Sequence, residues 1–404
     1  MPEFVSLKNL DPDFFRGKRA LVRVDFNVPI KEGKVSNDQR IRAALPTLRY
    51  LLNAGSRVIL MSHLGRPKGK PQDAFRLKPV GDYLAKLLEL EVLCLDDCIG
   101  TAVEEAVSGS QAPVVLLENT RFYAQETDND PEFAAQLAKL GDFYVNDAFG
   151  TAHRAHASTE GVAAYLPAYA GFLMEKELNA LGGMLESAQS PFVAIIGGAK
   201  VSSKLAVLEN LLPKVDALVI GGAMAYTFLA AQGLSVGKSL TEPELFETAL
   251  ALLNQAKALN KQIVLPVDTV LATGVDAIEA TLVVDLHAPG EDISELSGVD
   301  IGPDSVAAIE AVLEPAKTVL WNGPMGVFEN PPFAAGTEAI AKIVARITQK
   351  GAVSVVGGGD SVAAVEKLGL ADQFTHVSTG GGASLEFLEG KTLPGVAVLE
   401  TLKG

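Results

Sequence analysis

Eleven of the twelve arginines in this chain precede residue 155, and four of them stand in polar loops that follow short apolar runs. Arg40 closes Asn37-Asp38-Gln39-Arg40, which comes soon after Asp25-Phe26-Asn27-Val28-Pro29. Arg66 lies in Ser62-His63-Leu64-Gly65-Arg66-Pro67, and Arg121 in Glu118-Asn119-Thr120-Arg121-Phe122. Arg154 follows Asn146-Asp147-Ala148-Phe149-Gly150 in His153-Arg154-Ala155-His156. A guanidinium is a planar fork of donors that matches carboxylate and phosphate. Four such forks with His63 at one rim therefore fit a small acid carrying both groups.

The second half replaces arginine with glycine and lysine. Gly197-Gly198-Ala199-Lys200-Val201-Ser202-Ser203-Lys204 follows the buried-looking run Phe192–Ile196 and leads into a pattern with Val201, Leu205, Leu208 and Leu212 on one helical face. Strand, glycine turn and helix start together make an anion site, because free amides and the helix dipole point the same way. More glycine turns follow: Gly221-Gly222, the run Trp321-Asn322-Gly323-Pro324-Met325-Gly326-Val327-Phe328-Glu329, Gly357-Gly358-Gly359-Asp360-Ser361, and Thr379-Gly380-Gly381-Gly382. Such a rim of bare backbone donors suits nucleotide phosphates and a flat base. Asp360 is either a plain helix cap or, beside polyphosphate, a magnesium ligand.

The elements that must position these groups alternate. Arg19–Asp25, Arg57–Met61, Glu91–Leu95, Pro113–Leu117 and Asp142–Val145 read as strands, with amphipathic helices at Gln39–Asn53, Pro79–Leu90 and Pro131–Gly141. Pro46 is expected to bend or shorten the first helix. Residues 171–190 read as a helical connector. Beyond it, strands are expected at Phe192–Ile196, Ala217–Ile220, Gln262–Leu265, Thr281–Asp285, Lys317–Trp321 and Ala352–Val356. The helices between them fit Val201–Leu212, Ala223–Gln232, Pro243–Leu259, Asp304–Leu313, Gly336–Lys350 and Ser361–Leu368. This predicts an α/β chain with parallel sheets and ligand crevices at the carboxyl ends of the strands.

With 404 residues, two domains are the default. The net charge of −15 argues against nucleic acid or an anionic membrane as partner, and no apolar run is long enough to span a bilayer. Residues 1–170 hold 20 Lys+Arg against 22 Asp+Glu, whereas residues 171–404 hold 14 against 27. No signal-peptide pattern opens the sequence, and Cys94 and Cys98 complete neither a disulfide framework nor a zinc site, so reduced thiols in the cytoplasm are expected. Gly233–Ser239 is one residue short of a Walker loop, and neither half has a G-x-G-x-x-G after its first strand.

Taken together, R-V-D-F-N-V-P, S-H-L-G-R-P, E-N-T-R-F, N-D-A-F-G-T-A-H-R-A-H-A-S, G-G-A-K-V-x-x-K, L-P-V-D, W-N-G-P-M-G-V-F-E, G-G-G-D-S and S-T-G-G-G-A-S-L-E resemble the signatures of the phosphoglycerate kinase family, in that family's order. The resemblance implies two Rossmann-like domains, each a parallel sheet covered by helices: residues 1–170 for phosphoglycerate and 191–390 for nucleotide. A hinge helix at 171–190 would join them, and a tail at 391–404 would return to the N-terminal domain. It also implies transfer of the acyl phosphoryl group of 1,3-bisphosphoglycerate to ADP, giving 3-phosphoglycerate and ATP. By the same resemblance Asp25, Phe26, Asn27, Arg40, His63, Leu64, Gly65, Arg66, Arg121 and Arg154 would hold the acid. Gly198, Lys200, Lys204, Gly221, Gly222, Asn322, Pro324, Val327, Glu329, Gly357, Gly358, Gly359, Asp360 and Ser361 would line the nucleotide site, with Asp360 binding Mg2+. Arg40, Lys200, Gly381 and Gly382 would meet the phosphoryl group in flight. Thr269–Gly274, after L-P-V-D, is less family-like. A different α/β phosphotransferase and a non-catalytic nucleotide sensor on the same fold are the alternatives, and a monomer is the expected state.

Overall fold

The computed structural model describes residues 4–400, in two compact units: residues 4–179 with 392–400, and Ala180–Lys391. In the first unit six strands, β1 (Arg19–Val24), β2 (Arg57–Met61), β3 (Val92–Cys94), β4 (Val114–Leu116), β5 (Phe143–Asp147) and β6 (Ala168–Ala170), pair in parallel in the order β3-β4-β2-β1-β5-β6. Central β1 is buried from Ala20 to Val24, as an apolar run covered on both faces must be. Its neighbours lead away in opposite directions, so the chain reverses its march across the sheet beside the carboxyl end of β1, where ligands bind in open α/β sheets.

Helix α1 (Gln39–Asn53) covers this sheet with Ile41, Ala44, Leu45, Leu48 and Leu51, a single stripe at helical spacing. Pro46 does not shorten it. Proline and Arg42 both lie on the exposed face, where water can satisfy the carbonyl that loses its amide partner. Among the elements of this unit that the sequence does not announce are one helix and one edge strand. The helix Thr101–Gly109 buries only Val103 and Val107, and β6 is three residues long, so neither gives a strong periodic signal. Residues 393–400 lie against the same unit: Gly395 N donates to Ala152 O at 2.8 Å, and Val5 N donates to Glu400 O at 2.7 Å.

In the second unit β7 (Phe192–Ile196), β8 (Ala217–Ile220), β9 (Gln262–Val264), β13 (Thr318–Asn322), β14 (Val353–Gly357) and β15 (His376–Val377) form another all-parallel sheet, ordered β9-β8-β7-β13-β14-β15. Here one expectation fails. The strand expected at Thr281–Asp285 is not part of this sheet. It is β11 (Leu282–Asp285) of a separate antiparallel sheet with β10 (Asp268–Ala272) and β12 (Ser297–Ile301). Its burial alternates, with Val284 inside and Val283 half exposed, as befits a strand covered on one face only.

Helix α2 (Phe172–Ser187) begins in the first unit and ends in the second. Its first amides are held by side chains of the first unit: Phe172 N donates to Thr47 Oγ1 and Leu173 N to Asp147 Oδ1, both at 2.9 Å. The helix expected from Val201 starts only at Leu205, as α3 (Leu205–Leu211). Val201–Ser203 instead form a turn whose Ser202 donates through N and Oγ to the Glu242 carboxylate, at 3.0 and 2.5 Å. The buried face of α3 is accordingly Val207, Leu208 and Leu211, and Lys200 and Lys204 do not sit one helical turn apart.

Candidate active site

In the first unit a cavity of about 600 Å³ is lined by Arg66, Arg121 and Arg154 together with Lys68, Tyr123 and His156. Three of the four expected arginines thus converge. Arg121 is the most deeply placed, at 6% exposure. Asn119 Oδ1 caps the short turn that carries it. Its Nη1 donates to Gly65 O at 3.1 Å, while Nε and Nη2 are buried with no protein acceptor. Burial, with Arg23 and Arg154 nearby, pulls its pKa down to about 10. Donors buried without acceptors are costly, and a ligand anion is the natural partner.

The fourth arginine comes from a helix, not a loop. Arg40 lies in the first turn of α1 and donates through Nη1 to Asp25 Oδ2 at 3.0 Å and to Asn27 O at 3.1 Å. Asn27 Oδ1 in turn accepts from Gly65 N at 2.9 Å, tying the loop after β1 to the loop after β2. Gly65 is required there, because its φ is +62° and a Cβ would come within 2.3 Å of the Phe75 ring. His63 is buried, and its protonation is pushed well below the ordinary range by burial and then by Arg23, Arg121, Arg154 and Arg40. For two expected contacts the structure narrows which atoms are available. The side chains of Phe26 and Leu64 belong to the hydrophobic core, so only their backbone can face a ligand.

The second unit has two cavities that share Gly198, Ala199, Pro324 and Asp360. One, of about 450 Å³, is lined by Lys204, Asn322, Gly358, Gly359, Ser361, Gly381 and Gly382 as well. The other, of about 420 Å³, is flanked by Gly222, Tyr226, Leu240, Val275, Val327 and Glu329. The glycine turns are dense because they pack directly on one another. A Cβ on Gly323 would lie 2.0 Å from Gly197 O, and one on Gly222 would lie 2.6 Å from Gly198 N. Some of their amides are used internally: Gly197 N donates to Asn322 O and Gly222 N to Met325 O. Thr337 Oγ1 accepts from Met325 N at 3.0 Å and steadies the loop that carries Pro324, Val327 and Glu329.

Lys204 Nζ donates to Asn322 Oδ1. Burial brings its pKa down to about 8, opposed by Asp360 and Glu389. Asn322 Nδ2 is buried without a partner. Lys200 is exposed and lines neither cavity. Gly221 and Gly357 also lie outside both linings; Gly221 packs on Met325, whose Sδ would be 2.4 Å from a Cβ. Asp360 is not a helix cap. Helix α5 (Gly359–Lys367), which follows α4 (Ala335–Gln349), is capped by Gly358 at φ +87°, and Asp360 stands in its first turn with its side chain exposed.

Several participants were not foreseen. Arg23, inside β1, is fully buried and contacts His63; Glu126 and Ser158 stand behind it. An arginine within the apolar run Ala20–Val24 is a signal the sequence did carry. Nothing in the sequence links Glu126 to Ser158, or Ser202 to Glu242.

A sequence profile of the family described as phosphoglycerate kinase matches residues 8–391. Phosphoglycerate kinase of Chloroflexus aggregans is 58% identical over 388 residues, covering 95% of this chain and 96% of that protein. The Borrelia duttonii protein of the same name is 55% identical, over 98% of this chain and 100% of its own. The solved structure of phosphoglycerate kinase from Coxiella burnetii superposes with a TM-score of 0.87 at 44% identity, over 98% of each chain. That from Pyrococcus horikoshii gives 0.79 at 35% identity, again over 98% of each. With a family profile over residues 8–391 and relatives and solved structures matched over nearly their whole length, the chain belongs to the phosphoglycerate kinase family.

Proposed function

We propose that this enzyme reversibly transfers the acyl phosphoryl group of 1,3-bisphosphoglycerate to ADP, with the acid held in the first unit and the nucleotide in the second. The observation that carries the acid site is Arg121, with two buried donors lacking any protein acceptor in a cavity shared with Arg66 and Arg154. Those three forks take the phosphate of 3-phosphoglycerate. Arg40, Asn27 and His63 take the carboxylate end. Glu329, Val327 and Gly222 face the nucleoside, while Lys204, Gly358, Gly359, Gly381 and Gly382 face the phosphates.

Among the described residues no group of three or more His, Cys, Asp or Glu could cage a metal ion. Asp360 is a single exposed carboxylate bordering both nucleotide cavities. That fits a magnesium ion that keeps most of its ligands as water and phosphate oxygen and takes one carboxylate from the protein. Bound there with ADP or ATP, it would neutralise phosphate charge. The remaining chemistry falls to the chain. The attacking oxygen of ADP is already anionic, so no general base is required. Catalysis is positioning and charge stabilisation of an in-line transfer. Arg40, exposed Lys200 and the amides around Gly381 and Gly382 are the groups assigned to the phosphoryl oxygens. Exposed Lys200 lines neither nucleotide cavity, so it would have to turn toward the group as the ligands come together.

As acid and nucleotide occupy different units, transfer needs closure about the 171–190 connector and exclusion of water from the acyl phosphate. Small-angle scattering with both ligands should give a smaller radius than with either alone; an unchanged radius counts against the hinge. The action is that of a single cytoplasmic chain, each copy carrying both sites. A coupled assay with 1,3-bisphosphoglycerate and ADP tests the whole reading. No ATP formation above background would leave a nucleotide sensor as the alternative.

A further inference from the structure

Arg23 is a cation at 0% exposure in the middle of a sheet. Its guanidinium makes three contacts: Nε to Ser158 Oγ at 2.7 Å, Nη1 to Val24 O, and Nη2 to His63 Nδ1 at 3.2 Å. A guanidinium carries only donors and does not lose its proton in proteins. His63 Nδ1 must therefore be the acceptor. A neutral imidazole with a lone pair on Nδ1 carries its proton on Nε2.

The other side of Arg23 is equally constrained. Ser158 Oγ accepts from Arg23, so its one hydrogen goes to Glu126 Oε1, at 2.6 Å. Ser158 N donates to Glu126 Oε2 at 3.0 Å. Glu126 is itself at 0% exposure. No carboxylate touches Arg23 directly among the described residues, so the buried positive charge is balanced through one hydroxyl. Each donation in the chain has a single permitted direction.

We propose that Glu126 and Ser158, acting through Arg23, are positioning residues that lock His63 as the neutral Nε2–H tautomer, so that the imidazole meets the substrate as a hydrogen-bond donor without a charge. The inference rests on the acid-site reading above for what His63 donates to, but not for the tautomer itself. Four cations act on the imidazole: Arg23 of β1, which touches it, and Arg40 of α1, Arg121 of the turn after β4 and Arg154 of the loop after β5 through their charge. All four oppose a second proton. The consequence is an acid site whose histidine does not switch between pH 6 and 8, although that residue type ordinarily does.

The test uses the full chain labelled with 15N-histidine. Only five histidines are present, and His63→Gln assigns the signal of interest. Long-range 15N–1H spectra should show a protonated Nε2 and an unprotonated Nδ1 at His63, unchanged from pH 6 to 8. Ser158→Ala and Glu126→Gln release the Arg23 guanidinium from its orienting partner and should each move His63 toward the other tautomer. They should raise KM for 3-phosphoglycerate roughly two- to tenfold, the worth of one hydrogen bond, while sparing kcat and the nucleotide KM. A wild-type His63 protonated on Nδ1, or on both nitrogens at pH 7, overturns the proposal, and that measurement needs no variant to fold. Folded variants that leave the His63 spectrum unchanged remove Glu126 and Ser158 from it. If the tautomer is as stated but 3-phosphoglycerate leaves the His63 signals unmoved, the acid-site reading fails and the relay stands.

Discussion

Replacing Arg121 by methionine should separate function from stability in one step. In the free protein the guanidinium has one bond, to Gly65 O, and two buried donors with none. Each unmade buried bond costs about 1–3 kcal/mol. Methionine fills much of the same volume without charge, and exchanging buried charged groups for apolar ones is often neutral or stabilising by about 1–4 kcal/mol. Setting the lost Gly65 contact against this, the variant should be as stable as the parent or more stable by about 1–2 kcal/mol. The substrate side reads oppositely. Two charge-assisted bonds to phosphate are worth ~1.5–3 kcal/mol each, or ~3–6 kcal/mol together. At ~1.4 kcal/mol per decade, kcat/KM for 3-phosphoglycerate should fall roughly 10²- to 10⁴-fold, with KM for ATP little changed. Denaturant titration and the coupled assay, run in parallel, read the two quantities. A variant that is destabilised yet keeps kcat/KM within about threefold of the parent would refute the reasoning, since Arg121 would then be a structural cation.

Three further outcomes are expected. Lys200→Ala should lose about a hundredfold or more in kcat, the usual cost of one fixed oxyanion donor, with a much smaller change in ADP affinity; equal losses in both would make Lys200 a ground-state binding group. Glu242→Ala frees Ser202 N and Oγ from their acceptor and so loosens the turn between the two lysines; kcat should fall about tenfold or more while KM for the acid stays put, and an unaltered kcat removes Glu242 from that role. Asp147 is fully buried, and burial raises its pKa to about 7. The folded chain therefore keeps a proton that the unfolded chain releases from pH 3.8 upward, so this group's contribution to stability is present below 3.8 and is lost as pH rises to 7. Asp147→Asn should flatten that slope in denaturant titrations and stabilise the protein at pH 8 by on the order of 2–4 kcal/mol; an unchanged slope would show that the carboxyl is ionised throughout.

The strands that carry the sites were legible because they are buried on both faces and read as unbroken apolar runs: Phe192–Ile196 and Ala217–Ile220 fall where expected. The third sheet was not, since β11 has the same residue types as a parallel strand and only its one-sided burial tells it apart. The start of α3 was misread for a different reason. Val201 has the right spacing for a helix, but the Ser202–Glu242 bonds hold its neighbour in a turn, and that partner lies 40 residues away. Site residues followed the same division. Arg66, Arg121 and Arg154 are recognisable by position after strands, whereas Glu126 and Ser158 have meaning only once the chain is folded.

On the proposed reading the two units meet their anions by opposite means. A guanidinium taken out of water needs a compensating charge or a polar cage. The first unit accordingly supplies Glu126 through Ser158 to fully buried Arg23, adds Asp25 to the partly exposed Arg40, and leaves Arg121 for the ligand. Backbone amides carry no net charge and need no such partner. The second unit can therefore crowd its glycine turns together at van der Waals contact while the chain beyond residue 170 holds 27 acidic against 14 basic residues. Such an excess would repel a bare polyphosphate. On the proposed reading the nucleotide arrives with much of its charge already neutralised by its metal ion, so two lysines, one carboxylate for the ion and a rim of amides suffice.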